Sequence, residues 1–265
     1  MILSLIAHIL KLNSRDEFIS KINIVLELIA IFISLLIYYF TSKTFSGSID
    51  SSLAIYKVNY FDFILIGEVL LALPLFFLEG TYRKVRESLM NGVYDTFNYL
   101  GISSLKSIFF LVSSALPKVL FRISLTLVFA YLFFGFSIPI GRILICFLIV
   151  IISLPLFFSF GLAFSAVLLK TGRGQALIGY FLTMMSIGAG GFFPLSVLPV
   201  SLVRVLEFFP YTTLLETLRL FLVDANYSRL SDLVPALLWF LLIPFILLGF
   251  KKVTRNQTSE SIILK

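Results

Sequence analysis

The sequence predicts an all-α polytopic membrane protein with six transmembrane helices, and three observations predict it. Apolar residues make up 59% of the chain and charged residues only 13%, against about half and about a quarter in a soluble domain. The mean hydropathy is +1.05. The apolar residues gather in six stretches close to the ~20 residues that a spanning helix needs. The basic residues of a chain with net charge +7 crowd into alternate connections between those stretches, as the positive-inside rule requires. At 265 residues the chain holds one membrane domain, 1–265, with no room beside it for a nucleotide-binding domain of ordinary size.

The elements follow in order. Within residues 1–21, Ile2, Leu5, Ile6, Ile9 and Leu10 share one helical face while His8 and Lys11 face away, the pattern of an interfacial helix on the cytoplasmic surface. No basic stretch precedes its short apolar run and no small-residue cleavage site follows, so a secretory signal is not expected. The spans run from Ile22 to Phe40, Phe61 to Leu78, Val119 to Ile138 (entered from a longer helix), Ile143 to Leu169, Ala176 to Phe193, and Leu233 to Phe250. Lys11, Arg15 and Lys21 precede the first span. Arg83, Lys84, Arg86 and Lys106 lie between the second and third, Lys170 and Arg173 between the fourth and fifth, and Lys251, Lys252 and Arg255 after the sixth. That distribution puts both termini, including the tail 251–265, in the cytoplasm of a cell in whose membrane the chain sits. Residues 194–229 are too interrupted by Pro199 and Pro210 to span again and read as short helices at the outer surface.

The same inventory excludes several functions. No GxxxxGK[ST] phosphate loop, HExxH or GxSxG occurs, so ATP binding of the P-loop type and the common hydrolytic centres lack their residues. Cys146 is the single cysteine, so no disulfide framework is possible within the chain, and His8 is the single histidine, which leaves almost no material for a His-based zinc site or a Ser-His-Asp triad; no metal site is expected. The positive charge lies in loops between spans, so it reads as topology with the lipid bilayer as partner and not as a nucleic-acid surface. The chain is not expected to be an enzyme.

Two stretches outside the spans stand out. One, in the cytoplasmic segment 81–106, runs Gly92-Val-Tyr-Asp-Thr-Phe-Asn-Tyr-Leu-Gly-Ile-Ser103. The other runs Gly191-Phe-Phe-Pro-Leu-Ser-Val-Leu-Pro199 and continues through Pro210, Thr212, Glu216 and Arg219. In these the sequence resembles the membrane permease subunits of type-2 ABC exporters. Many of them carry G-T-L-E-x-L-L-x-x-P-x-S after the second span, which Gly92, Asp95, Phe97 and Ser103 fit without a gap. Gly101 replaces the usual proline and Asn98 an apolar residue. Many also carry S-G-x-x-F-P-x-x-x-L-P and then N/F-P-x-T-x-x-x-E-x-x-R, which Phe193, Pro194, Leu198, Pro199, Pro210, Thr212, Glu216 and Arg219 match, with Gly191 one position from the family's glycine. The order of spans is similar over nearly the whole chain.

The resemblance implies a partner-dependent subunit. It would pair with a second permease, identical or homologous, on two ABC ATPase subunits that bind ATP and Mg, and it would hold no cofactor itself. Segment 81–106 would be the coupling helix, with Arg86, Gly92, Asp95, Phe97, Tyr99 and Gly101 at the ATPase interface. Phe97 and Tyr99 offer aromatic anchors for such a contact. Arg83, Lys84 and Arg86 either hold the segment at anionic lipid or pair with ATPase acids, or only set topology. Gly191, Phe193, Pro194 and Pro199 form an outer gate, or else a plain helix end, since Gly190, Gly191 and Pro194 weaken a helix there.

Ionisable residues within spans are costly in lipid and face the protein interior. Glu68, in the middle of the second span, is the candidate for contact with cargo. A charge pair with another helix, or a proton, is the alternative. Glu27 and Glu79 are natural partners for Lys118 and Arg122, which lie i,i+4 on one face. These four are expected to form a structural cluster. The cargo of an exporter with such aromatic spans would be amphipathic: drug-like, peptide or lipid-linked. Two other readings stand beside it, an ion-coupled secondary transporter using Glu68 and a non-transporting membrane scaffold.

Overall fold

A computed structural model describes residues 21–45, 47, 50–91, 97, 101–188, 190–223 and 234–263, and these are mainly helical with no strand among them. The interfacial helix expected over residues 1–20 lies outside the described residues. In chain order the helices are α1 (Lys21–Phe45), α2 (Asp50–Leu53), α3 (Tyr60–Met90), α4 (Ser104–Ser113), α5 (Leu116–Phe133), α6 (Ile140–Thr171), α7 (Gln175–Gly188), α8 (Val200–Glu207), α9 (Pro210–Val223), α10 (Val234–Leu238) and α11 (Ile243–Ile263). Short 3-10 turns occupy Leu195–Val197 and Trp239–Leu242.

Five helical segments are long and apolar enough to cross a membrane: Ile22–Phe45, Tyr60–Met90, Ser104–Phe133, Ile140–Thr171 and Ala236–Arg255. They overlap five of the six expected spans and are consistent with a multi-pass membrane protein. Their ends differ from the expectation. The third begins at Ser104, where Ser103 caps α4 by accepting from the Lys106 amide, and α5 stops at Phe133, because the chain turns through Gly135 at φ +67° before Ile138 is reached. The second continues unbroken to Met90, so the first ten residues of segment 81–106 belong to α3.

The fifth expected span is the main departure. The helix that begins at Gln175 ends at Gly188 after 14 residues. At about 1.5 Å per residue that is roughly 21 Å, short of the ~30 Å hydrocarbon thickness. The cause is the Gly190–Gly191 step, with Gly190 at φ +76°, followed by Pro194, whose lack of an N–H closes off further helix.

α3 is the centre of the bundle. Asn59 caps its start, accepting from the Asp62 amide at 2.8 Å, and most side chains from Tyr60 to Leu78 are buried. It packs against α1, α4, α5, α6 and α9. The tightest approach is to α6: a Cβ on Gly161 would stand 2.6 Å from the Leu78 carbonyl oxygen, so only glycine lets these two backbones meet, the small-residue packing common between membrane helices. α11 closes the other side of α6. Isoleucines and leucines on the outer faces of α1, α6 and α11, such as Ile22, Leu148 and Leu248, are exposed, as suits helices bathed in lipid.

α9 corrects a second expectation. Residues 194–229 were expected at the surface, and α8 does expose Val200, Leu202 and Val205. α9 instead enters the bundle, with Tyr211, Leu214, Leu215, Leu218, Arg219 and Leu222 buried. Its last turn is held by Arg142, which donates to the Leu222 carbonyl at 2.9 Å and so satisfies an oxygen that a helix end leaves without an intrahelical partner.

Candidate functional site

A cavity of about 450 Å³ opens beside α3, within the ~300–1,000 Å³ range of small-molecule sites. One face of α3 supplies its long wall: Glu68, Leu71, Ala72, Leu75, Phe76 and Glu79 recur at helical spacing on one side. Tyr38 closes it from α1, Arg122 from α5, Ser186 from α7, Tyr211 from α9, and Gly191 with Phe192 from the broken segment. The wall is mainly apolar, with charge at both ends of the α3 face.

The charge at the Glu68 end is a four-residue seam. The Tyr38 hydroxyl donates to Glu68 Oε2, and Arg122 approaches Glu68 Oε1 at 3.9 Å and Glu27 Oε1 at 3.6 Å. Two of the four residues expected to cluster, Glu27 and Arg122, are therefore together, joined by Glu68 and not by the other two. Glu79 and Lys118 make no ion pair among the described residues. Glu79 lies eleven residues beyond Glu68, about 16 Å along the helix axis, which is too far to share Arg122. Lys118 shares a separate shallow cavity with Glu27.

The end of the cavity at Gly191 is fixed by a second network, of which the sequence showed Gly191, Glu216 and Arg219 only as parts of a family resemblance. Arg219 is 1% exposed. Its Nη1 donates to the Gly190 carbonyl, and its Nη2 donates to the carbonyls of Gly191 and Phe63, both at 3.0 Å. The guanidinium also stacks over the Phe63 ring, 3.7 Å from its centroid, and lies 3.5 Å from Glu216 Oε1. The Tyr56 hydroxyl donates to the other oxygen of Glu216 at 2.5 Å. The backbone where α7 breaks is thus tied to both α3 and α9 by one planar five-donor group, a geometry that lysine lacks. Burial lowers the Arg219 pKa to about 10, which leaves it charged at neutral pH. Burial raises that of Glu216, and the adjacent Arg219 opposes the rise. Gly67 admits the arginine: a Cβ there would collide with Nη2 and lie 2.6 Å from the Gly191 oxygen. Nothing in the sequence pattern marks Gly67 or Tyr56 for these roles, because the contacts are made across the fold.

The remaining expected site residues are placed as follows. Gly191 and Pro194 are buried, Phe193 is 39% exposed with its ring against Tyr60, and Pro199 is exposed just before α8. Arg86 is half-buried on α3. Gly92, Asp95 and Tyr99 lie outside the described residues. Phe97 is buried against Ile102 and Leu111, so its ring fastens the segment to α4, and Gly101 makes the intervening turn at φ +68°. Among the described residues no group of three or more His, Cys, Asp or Glu is placed to hold a metal ion.

No family model matches this sequence, and no curated protein shows significant similarity to it.

Proposed function

We propose that the chain is the transmembrane subunit of an ATP-driven exporter of the type-2 ABC class. It would form half of a pathway for amphipathic cargo, pair with a second permease, and be powered by separate ATPase subunits holding ATP and Mg. The observation that carries this reading is the clamped break after α7, set against the cavity: Gly191 belongs both to the cavity wall and to the Arg219 network. Backbone that leaves a helix at membrane depth must be buried in protein or line a cavity, and this segment does both. In this reading α7 and the break make the fifth crossing of six, α8 and α9 lie toward the outer side, and both termini are cytoplasmic.

α3 gives the reading a mechanical route. It is one helix of 31 residues, roughly 46 Å long. One end enters the segment where the ATPase would bind, near Arg86 and onward to Gly92, Asp95, Tyr99 and Gly101. The other carries Phe63 and Gly67 against Arg219. Closure of the ATPases would move α3 as a rod, shifting the wall of the cavity and the clamped break together.

The test is co-expression with ABC ATPase subunits from the same genome, followed by affinity purification and transport in proteoliposomes. Stable co-purification and ATP-dependent transport support the reading, and transport by the chain alone without ATP overturns it. A second reading, an ion-coupled carrier, rests on Glu68 facing the cavity beside Tyr38. It requires that Glu68→Gln abolish transport driven by an ion gradient.

A further inference from the structure

We infer that the cavity along α3 is a site for amphipathic monocations, with Glu79 as the residue that meets the positive charge. This rests on the exporter reading only for its consequence, transport of the bound molecule. The site itself is argued from its own charges and shape.

The cavity carries two carboxylates, Glu68 and Glu79, and one cation, Arg122, so its lining has one negative charge in excess. The excess is at one end. Glu68 is engaged by the Tyr38 hydroxyl and by Arg122. Glu79 is exposed and without an ion pair among the described residues. Between the two, Leu71, Ala72, Leu75 and Phe76 present an apolar wall about 16 Å long. A bound molecule that fits must then be cationic at the Glu79 end and apolar along the wall. Phe76, beside Glu79 on α3, adds a ring face that attracts a cation. An anionic amphipath would place its charge against an unpaired carboxylate at one end or displace Glu68 from Arg122 at the other.

The experiment uses the full chain purified in a neutral detergent, with rhodamine 6G as a fluorescent lipophilic cation and an anionic fluorescein ester of similar size, each followed by fluorescence anisotropy. Wild type is expected to bind the cation, and Glu79→Gln to weaken it by about tenfold or more, as for loss of a charged partner. Glu79→Asp is expected to keep most of the affinity, and Leu75→Trp, which fills the cavity, to abolish it. Because Glu79 is exposed, its substitution leaves the fold intact, and a size-exclusion profile identical to wild type verifies that. Unchanged cation binding in Glu79→Gln, or equal binding of the anion, overturns the proposal. Co-purification of the ATPase is scored on the same variants. Glu79-dependent binding without any ATPase association would sink the exporter reading and leave the site standing. ATPase association with Glu79-independent binding would do the reverse.

Discussion

Arg219 and Arg122 both carry a full charge into the bundle, and their surroundings differ in almost every respect. Arg219 is 1% exposed, donates to three backbone carbonyls, and has a carboxylate and an aromatic ring beside it. Arg122 has a side chain 50% exposed and reaches two carboxylates at 3.6 and 3.9 Å, beyond hydrogen-bonding distance. The first region needs its arginine because it donates to the carbonyls of Gly190 and Gly191 where the helix is broken. The second borders an open cavity, where charges balance loosely and either carboxylate can be released at little cost. The bundle thus has a rigid end and an exchangeable middle, and substitutions on the two sides should separate them.

The largest effect is expected from Arg219→Leu. It strips hydrogen bonds from the carbonyls of Gly190, Gly191 and Phe63 and leaves the largely buried Glu216 without its cation. Breaking a buried pair from one side costs about 3–5 kcal/mol, a fall in Tm of roughly 10 °C at roughly 2–4 °C per kcal/mol. Arg219→Lys should recover little, since an ammonium cannot fork between carbonyls on two elements. The double variant Arg219→Leu/Glu216→Leu should recover part of the loss, because it removes the orphaned carboxylate. Thermal unfolding of wild type, Arg219→Leu, Glu216→Leu and the double variant in detergent gives the coupling directly, and strictly additive losses would show that the pair is not a unit.

Gly67→Val comes next. Its Cβ would fall on the guanidinium and 2.6 Å from the Gly191 oxygen, and overpacking of this kind costs about 1–3 kcal/mol. Gly249→Ala is the control. It lies in a helix with nothing within 4 Å of a new Cβ, so it should leave Tm unchanged or raise it slightly. Equal losses at the two glycines would mean that the close approach of α3 to the broken segment is not maintained. Tyr56→Phe removes one hydrogen bond to Glu216 and should cost about 1–2 kcal/mol, read in the same melting experiment.

How much of this was legible beforehand depends on whether the signal was local. Hydropathy runs revealed the five helices that are long and apolar enough to cross a membrane, because length and composition belong to each helix separately. The stop at Gly188 was readable as weakness from Gly190, Gly191 and Pro194, but the span length assigned across it was not, since apolar residues continue through the break. α9 looked like a surface helix because Thr212, Glu216 and Arg219 are polar, and only the fold supplies the buried partners that let such residues go inside. Glu27 and Arg122 were paired correctly from their positions near one interface. Glu79 was assigned to them as well, and the eleven-residue separation along α3 from Glu68 shows why it stands apart. Gly67 and Tyr56 carried no sequence signal, since each matters only through a residue more than a hundred positions away.

The smallest effect is expected where charge is most visible. Arg122→Gln removes the cation from both Glu27 and Glu68, yet a half-exposed pair is worth less than about 1 kcal/mol, and Glu68 keeps the Tyr38 hydroxyl. The change in Tm should therefore stay below about 3 °C. The same substitution raises the negative charge of the cavity lining by one, so binding of a lipophilic cation should strengthen while stability barely moves. A loss of stability comparable to that of Arg219→Leu would mean that the seam is structural after all. A small shift in Tm together with tighter cation binding would instead assign Arg122 to the balance of charge in the cavity, leaving Arg219 as the residue that holds the break in place.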